Sequence, residues 1–289
     1  MRFYHTFWSR PALESNRWAI KGQYYMSLIH TALSVAYMKL LGQEIVLYTD
    51  TAGKALLDCL PYDVIYTTLD SNRAPIVFWA SGKFHAMKAE PVDSVHIDTD
   101  FWVKSDNILN VIRDNPVVFP HRELTTEYTG AVKAVTHALN ETGTQHTFTG
   151  AEKKSINMGL IKLDNPTLRN AFIHHYWRLM HGLIQSRRYM YSLSNPQGGS
   201  INSPDLVIEQ LLMTKLLEQT NVKPKFLIPL SGLEYTNTKE IGFCHLLAYD
   251  KYLKIPEELK RLKELDKKIY IAVLKRYEDM RFNLLNLTL

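Results

Sequence analysis

Hydrophobic and polar positions switch between two periods along the first half of the chain. Compact apolar runs over residues 2–8 and 44–48 read as strands. Between them, residues 24–41 carry apolar side chains at Tyr25, Leu28, Ile29, Ala32, Leu33, Ala36, Tyr37 and Leu40. That spacing predicts an amphipathic helix, and Gly42 follows at the usual stop position. The pattern continues with a short helix over 51–59, a strand over 63–67 and a helix over 78–89. A further apolar run ends at Asp98, and is followed by a helix over 106–113, with Asp106 as N-cap, and a strand over 116–119. Strands alternating with helices predict an α/β fold: a Rossmann-type, mostly parallel central sheet with flanking helices.

The second half is less regular. Residues 126–150 are polar and read as a loop or insertion. A strand is expected over 155–163, Pro-initiated helices over 166–183 and 204–219, and a turn over 194–200. Short strands over 225–229 and 242–247 precede a charge-rich helix from Glu257 to the C-terminus. The expected organisation is one domain over 1–250 with a C-terminal helical appendage, 251–289, packed on it.

Composition narrows the function classes. The chain has 289 residues, 46% hydrophobic and 22% charged, which is ordinary globular composition. A net charge of +5 is compatible with a phosphate-bearing ligand. No Lys/Arg block reads as a nucleic-acid arm, so no nucleic-acid partner is expected. Cys59 and Cys244 form no CxxC, and a reduced compartment is the default. With neither an apolar signal core nor a run of about 18 apolar residues, the reading is a cytoplasmic protein without a membrane span. From Asp250 onward ten Lys and Arg face seven Asp and Glu, and Ile269, Ile271, Leu274, Tyr277, Phe282 and Leu285 can form a stripe. That segment is read as a helix packed on the domain, with peripheral docking to an anionic membrane as the alternative.

The chemistry centres on Asp98-Thr99-Asp100. Alternate residues of an extended chain point the same way, so both carboxylates can converge on one cation where strand gives way to loop. Hard oxygen ligands suit Mn²⁺ or Mg²⁺, ions commonly shared with substrate phosphates. The carboxyl ends of the strands are also where α/β sheets bind nucleotides. The dinucleotide, Walker and Gly-x-Ser-x-Gly motifs are absent.

The run His96-Ile-Asp-Thr-Asp-Phe-Trp102 resembles the Asp-x-Asp signature of nucleotide-sugar glycosyltransferases of the GT-A fold superfamily. The resemblance covers roughly residues 1–250 and implies further site residues. Trp8 and Ser9, with Asp50 and Thr51, would meet the nucleoside, and Thr99 lies within the acidic motif. Lys83, after Phe78-Trp79-Ala80-Ser81-Gly82, would reach the phosphates or donor sugar. Asn157 and Gly159 resemble the Asn-x-Gly stretch lining the donor sugar, and Glu209-Gln210 an acidic-Gln pair on a helix. His245, in Phe-Cys-His-Leu-Leu, resembles the late His that serves as third metal ligand, although the fuller His-x-x-Gly-x-x-Lys-Pro pattern is not kept. The resemblance implies a metal-dependent hexosyltransferase taking a UDP- or GDP-sugar to a glycan, lipid-linked or protein acceptor. Asp164, Asp205 and Glu209 are the carboxylates available as a base for an inverting reaction. The alternatives are a non-catalytic sugar-nucleotide or glycan-binding protein, and a phosphatase of the haloacid dehalogenase type. The latter also uses Asp-x-Asp, but on its first strand.

Overall fold

The computed structural model describes residues 1–14, 23–125, 129–194, 204–228, 242–245 and 255–286. Its strands, in chain order, are β1 (Arg2–Phe7), β2 (Glu44–Thr49), β3 (Val64–Tyr66), β4 (Val95–Ile97), β5 (Phe101–Val103), β6 (Val117–Phe119), β7 (Arg122–Leu124), β8 (Lys154–Ile156), β9 (Leu160–Leu163), β10 (Lys225–Phe226) and β11 (Phe243–His245). The fold is α/β, with mainly parallel sheet strands and flanking helices, as the alternating periods predict. Two compact units share the chain. The first comprises Met1–Ser71, Ile97–Asn110 and Thr238–Leu289, and the second Asn72–His96 and Val111–Asn237. The chain passes from one to the other within β4.

In the first unit, β1, β2 and β3 run parallel, with Arg2 opposite Glu44, Phe7 opposite Thr49 and Val46 opposite Val64. β2 is a near-continuous apolar run, Ile45-Val46-Leu47, because both faces of a parallel strand are covered. The helix Gln23–Leu40 packs on β2 and β5 and buries Leu28, Ala32, Leu33, Val35 and Ala36. β5 pairs antiparallel with β11, placing His245 opposite Phe101 and Phe243 opposite Val103. The rings of Phe101 and Phe243 stack with centroids 5.1 Å apart. The helices Ile255–Leu265 and Lys267–Asn286 pack on Gln23–Leu40 and bury Glu258, Leu262, Ile269 and Val273.

In the second unit, β10 runs parallel to β6, β6 antiparallel to β9, and β7 antiparallel to β8. The helices Ser81–Ala89 and Pro166–Gln185 meet through Phe84, whose ring stacks on Tyr176 at 3.5 Å between centroids.

Several elements differ from the sequence expectation, each for a local reason. The expected loop over 126–150 contains the helix Thr129–Glu141, which buries Ala131, Val132, Val135, Ala138 and Leu139. Those positions form a helical stripe that the polar residues between them obscure. The expected strand over 155–163 is two strands, β8 and β9, interrupted where the Asn157 side chain accepts from the Gly159 N–H at 2.9 Å. The second Pro-initiated helix opens as a π-helix over Leu206–Leu211 before the α-helix Leu212–Thr220. The C-terminal helix divides at Asp266, whose carboxylate caps Lys268 and Ile269 at 2.8 and 3.0 Å. Of the expected C-terminal stripe, Ile269 is buried while Ile271 and Leu274 are 54% and 38% exposed; the inward face is instead completed by Val273. Of the turn expected over 194–200, Ser194 ends the helix Arg187–Ser194; residues 195–200, residue 229 and residues 246–247 of the last two expected strands lie outside the described residues. Among the described residues no helix is long and apolar enough to cross a membrane, and neither Cys59 nor Cys244 forms a disulfide.

Candidate metal centre and ligand-facing residues

The apolar residues of β4 are fully buried, so the strand fixes where Asp98 emerges. The Phe101 N–H donates to the Asp98 carbonyl at 2.9 Å, closing a tight turn that carries Thr99 and Asp100 before β5 begins. The β5–β11 register then delivers His245 from far along the chain. One ligand atom from each of Asp98, Asp100 and His245 lies within 4.8 Å of the others. The His245 Nε2 is 3.7 Å from an Asp100 oxygen. Two carboxylates and an imidazole form a mainly oxygen donor set that fits Mn²⁺ or Mg²⁺. These three residues belong to the first unit.

A buried polar chain supports the turn. His5 of β1 is fully buried, with Nδ1 2.7 Å from the Tyr62 hydroxyl and Nε2 3.0 Å from the Ser34 Oγ. Ser34 in turn donates its only hydroxyl proton to the Phe101 carbonyl at 2.7 Å. The network therefore assigns the tautomer: Nε2–H donates to Ser34, and Nδ1 accepts from Tyr62. Burial pulls the His5 pKa down to about 3, against the opposing charge of Asp100. Burial also pushes the Tyr62 hydroxyl well above its ordinary range, so it stays a donor. Beside the turn, the Trp102 indole N–H donates to the His30 carbonyl at 3.1 Å, and the Arg261 guanidinium lies 5.9 Å from the Trp102 ring centre. The His30 imidazole meets Glu258 at 3.1 Å. The sequence reading did not single out His5, Ser34 or Tyr62; a polar His within the apolar run of β1 was the available signal.

Trp8 and Ser9 directly follow β1, and Asp50 and Thr51 directly follow β2. One Asp50 oxygen accepts from the Ser9 N–H and Oγ at 3.0 and 2.8 Å; the other caps the helix Thr51–Leu57 through the Gly53 N–H at 2.7 Å. Thr51 donates from its N–H and its hydroxyl to Asp70, both at 2.8 Å. Trp8 is buried, and its indole nitrogen has no hydrogen-bond partner among the described residues.

Lys83, Asn157, Gly159 and Glu209 belong to the second unit. The buried Lys83 ammonium donates to Glu209 at 2.8 Å and to the Met158 carbonyl at 3.2 Å. Asn157 donates to Glu123, and Ser155 donates to Gln210 at 3.0 Å. Asp205 accepts from the Ala80 N–H at 2.8 Å and the Tyr176 hydroxyl at 2.9 Å. Asp164 pairs with Lys162 at 3.0 Å. The structure thus gathers Asp98, Asp100 and His245 into one cluster, places Trp8, Ser9, Asp50 and Thr51 at two parallel strand ends, and ties Lys83 to Glu209.

A family model described as "Family of unknown function (DUF6734)" matches residues 1–287. No curated protein matches. Among solved structures, a galactosyltransferase LgtC in complex with donor and acceptor sugar analogues aligns with a TM-score of 0.41 and 12% identity, over 92% of this chain and 95% of that one.

Proposed function

The chain belongs to the DUF6734 family, whose function is unknown, and from its own residues we propose that it is a metal-dependent glycosyltransferase of the GT-A type, transferring a hexose from a UDP- or GDP-sugar. The observation that carries this reading is the cluster of Asp98, Asp100 and His245 at a strand end of an α/β fold. These three residues would hold Mn²⁺ or Mg²⁺, which supplies positive charge to a departing nucleoside diphosphate. The chain's own groups have separate tasks. Asp98 and Asp100 present anionic oxygens, and the path from Tyr62 through His5 and Ser34 to the Phe101 carbonyl holds their turn. The strand ends bearing Trp8, Ser9, Asp50, Thr51 and Thr99 are assigned to the nucleoside diphosphate. Lys83, Asn157, Gly159 and Glu209 are assigned to the donor sugar, with Glu209 and the Met158 carbonyl fixing the direction of the Lys83 ammonium. The acceptor is a glycan, a lipid-linked sugar or a protein, and the site of action the cytoplasm, with membrane contact at most peripheral.

Titration calorimetry with Mn²⁺, and with UDP or GDP in its presence, tests the site. Native protein is expected to bind a nucleoside diphosphate only with the metal and to release it from a nucleotide sugar. Asp100→Asn and His245→Ala should each weaken Mn²⁺ binding roughly tenfold or more. Unchanged metal affinity in both variants would sink the assignment. Tight, metal-dependent nucleotide binding with no turnover on any UDP- or GDP-sugar would favour a non-catalytic binding protein. Release of phosphate from a simple monoester would favour the phosphatase.

A further inference from the structure

The transferase reading leaves unused a row of cavities in the second unit, along the helix Pro166–Gln185. A cavity of about 480 Å³ is lined by Gln145, His174, Trp177, Arg178, His181 and Gln185, among others. It shares Gln145 and Arg178 with a second cavity of about 200 Å³, which adds His146, His175 and Lys215. It shares His174 and Trp177 with a third of about 370 Å³, which adds Lys88. Shared lining residues set the three cavities side by side along one helix, so a ligand that occupies all of them is extended rather than a single small molecule.

The lining has a definite chemistry. Trp177 is half-buried and takes part in two of the cavities. An indole ring so placed offers an aromatic surface to the C–H face of a sugar. Gln145 and Gln185 are exposed amides that can both donate and accept, as vicinal hydroxyls require. Arg178 stands between the first two cavities, where a guanidinium suits a carboxylate or phosphate in fork geometry. The Arg178 Nε and the His175 Nδ1 are buried and have no hydrogen-bond partner among the described residues. Native structures rarely leave such atoms unsatisfied. Burial, reinforced by Arg178 and His174, holds the His175 imidazole below its ordinary pKa. Burial does the same to His146. Both are therefore neutral hydrogen-bonding groups near pH 7. The nearby acids are already engaged: Glu90 accepts from the Ser94 hydroxyl at 3.0 Å, and Glu152 from the Thr149 N–H at 2.7 Å while meeting Lys215 at 3.8 Å. One guanidinium among neutral polar and aromatic groups, with Lys88 exposed and Lys215 paired to Glu152 and Glu218, suits an occasional negative charge on a sugar chain, whereas a nucleic-acid track needs a cation at nearly every phosphate.

We propose that this row of cavities binds an oligosaccharide carrying an acidic group, a carboxylate or a phosphate, seated at Arg178. Its residues lie in the second unit and the metal ligands in the first, so its test is run on the full chain in EDTA without nucleotide. Calorimetric titrations would compare tetragalacturonate and a phosphorylated maltotetraose with neutral maltotetraose, inorganic phosphate and an oligo-dT octamer. At least one acidic oligosaccharide should bind saturably, roughly tenfold or more tighter than maltotetraose and inorganic phosphate. Which of the two binds tells carboxylate from phosphate. Arg178→Gln should abolish the preference for the acidic over the neutral sugar. Gln145→Glu, an exposed change that adds a negative charge beside Arg178, should weaken the acidic ligand more than the neutral one and so reduce the preference. Trp177→Ala should weaken every sugar. The proposal is overturned if neither acidic oligosaccharide saturates below about 10 mM, if phosphate or the oligo-dT octamer binds as tightly, or if Arg178→Gln and Gln145→Glu leave the preference intact in folded protein.

Discussion

His5 sits in a strand that is otherwise mostly apolar, and its burial forces the imidazole to remain neutral while Asp100 lies close enough to pull it the other way. The consequence for stability has a definite sign. Above the ordinary pKa of 6.5 both folded and unfolded chains carry neutral His5; as pH falls towards its folded value of about 3, only the unfolded chain takes the proton. Native protein should therefore lose about 2 kcal/mol more between pH 6.5 and about pH 5 than His5→Gln, measured by urea unfolding. Equal pH slopes would show that the imidazole is not held neutral. A second residue-scale test concerns the buried Lys83–Glu209 pair. Lys83→Met strands the carboxylate in a dry environment and should cost about 3–5 kcal/mol, most of it regained on adding Glu209→Gln. Additive losses in the double variant would refute this coupling. The sequence made the type of these residues legible but not their partners. The acidic motif could be read because two carboxylates at a strand end are a local pattern. Ser34 and Tyr62 could not, because only the packing of distant segments brings them to His5.

At the scale of elements, β2 was legible because a doubly covered strand is nearly all apolar, and β1 from the aromatic residues Phe3, Tyr4 and Phe7 within a short run. β5 was not: Phe101-Trp102-Val103 are strand formers, but three residues directly after the acidic motif are too short a run to read as a separate strand, and the sequence carries no trace of their register with β11. Nor was the break between β8 and β9, which depends on a side-chain turn at Asn157. The helix Thr51–Leu57 illustrates how tightly such elements are seated. A Cβ at Gly53 would lie 2.0 Å from the Thr49 Oγ1 and 2.9 Å from the Phe7 ring. Thr49 cannot swing away without losing its 2.6 Å bond to the Phe7 carbonyl. Helix propensity alone would favour alanine by about 1 kcal/mol. The close approach should reverse that sign, and Gly53→Ala should destabilise by about 1–3 kcal/mol in urea unfolding. A stabilised Gly53→Ala would mean that the helix sits further from β1 and β2.

For the molecule as a whole, the first unit is assembled from three separate stretches, and its C-terminal helices contribute Glu258, Leu262, Ile269 and Val273 to the interior. A chain ending at residue 254 should lose Mn²⁺ binding and become protease-sensitive over 23–40. Retained Mn²⁺ binding together with protease resistance over 23–40 would make the appendage dispensable. Anionic vesicles test the opposite role. With Ile269 and Val273 turned inward, Ile271 and Leu274 are the exposed large apolar side chains among the described residues of these two helices. No salt-sensitive co-sedimentation is expected from so small a patch. The interleaving of the units has no counterpart in the composition along the chain. Interleaving also imposes an order in time. A ribosome delivers Asp98 and Asp100 long before His245, an interval on the order of ten seconds at roughly 5–20 residues per second. Until β11 emerges and docks on β5, the nascent chain presents two carboxylates with no imidazole beside them. The metal site is therefore completed only after synthesis has run well past the acidic motif, when β11 docks on β5.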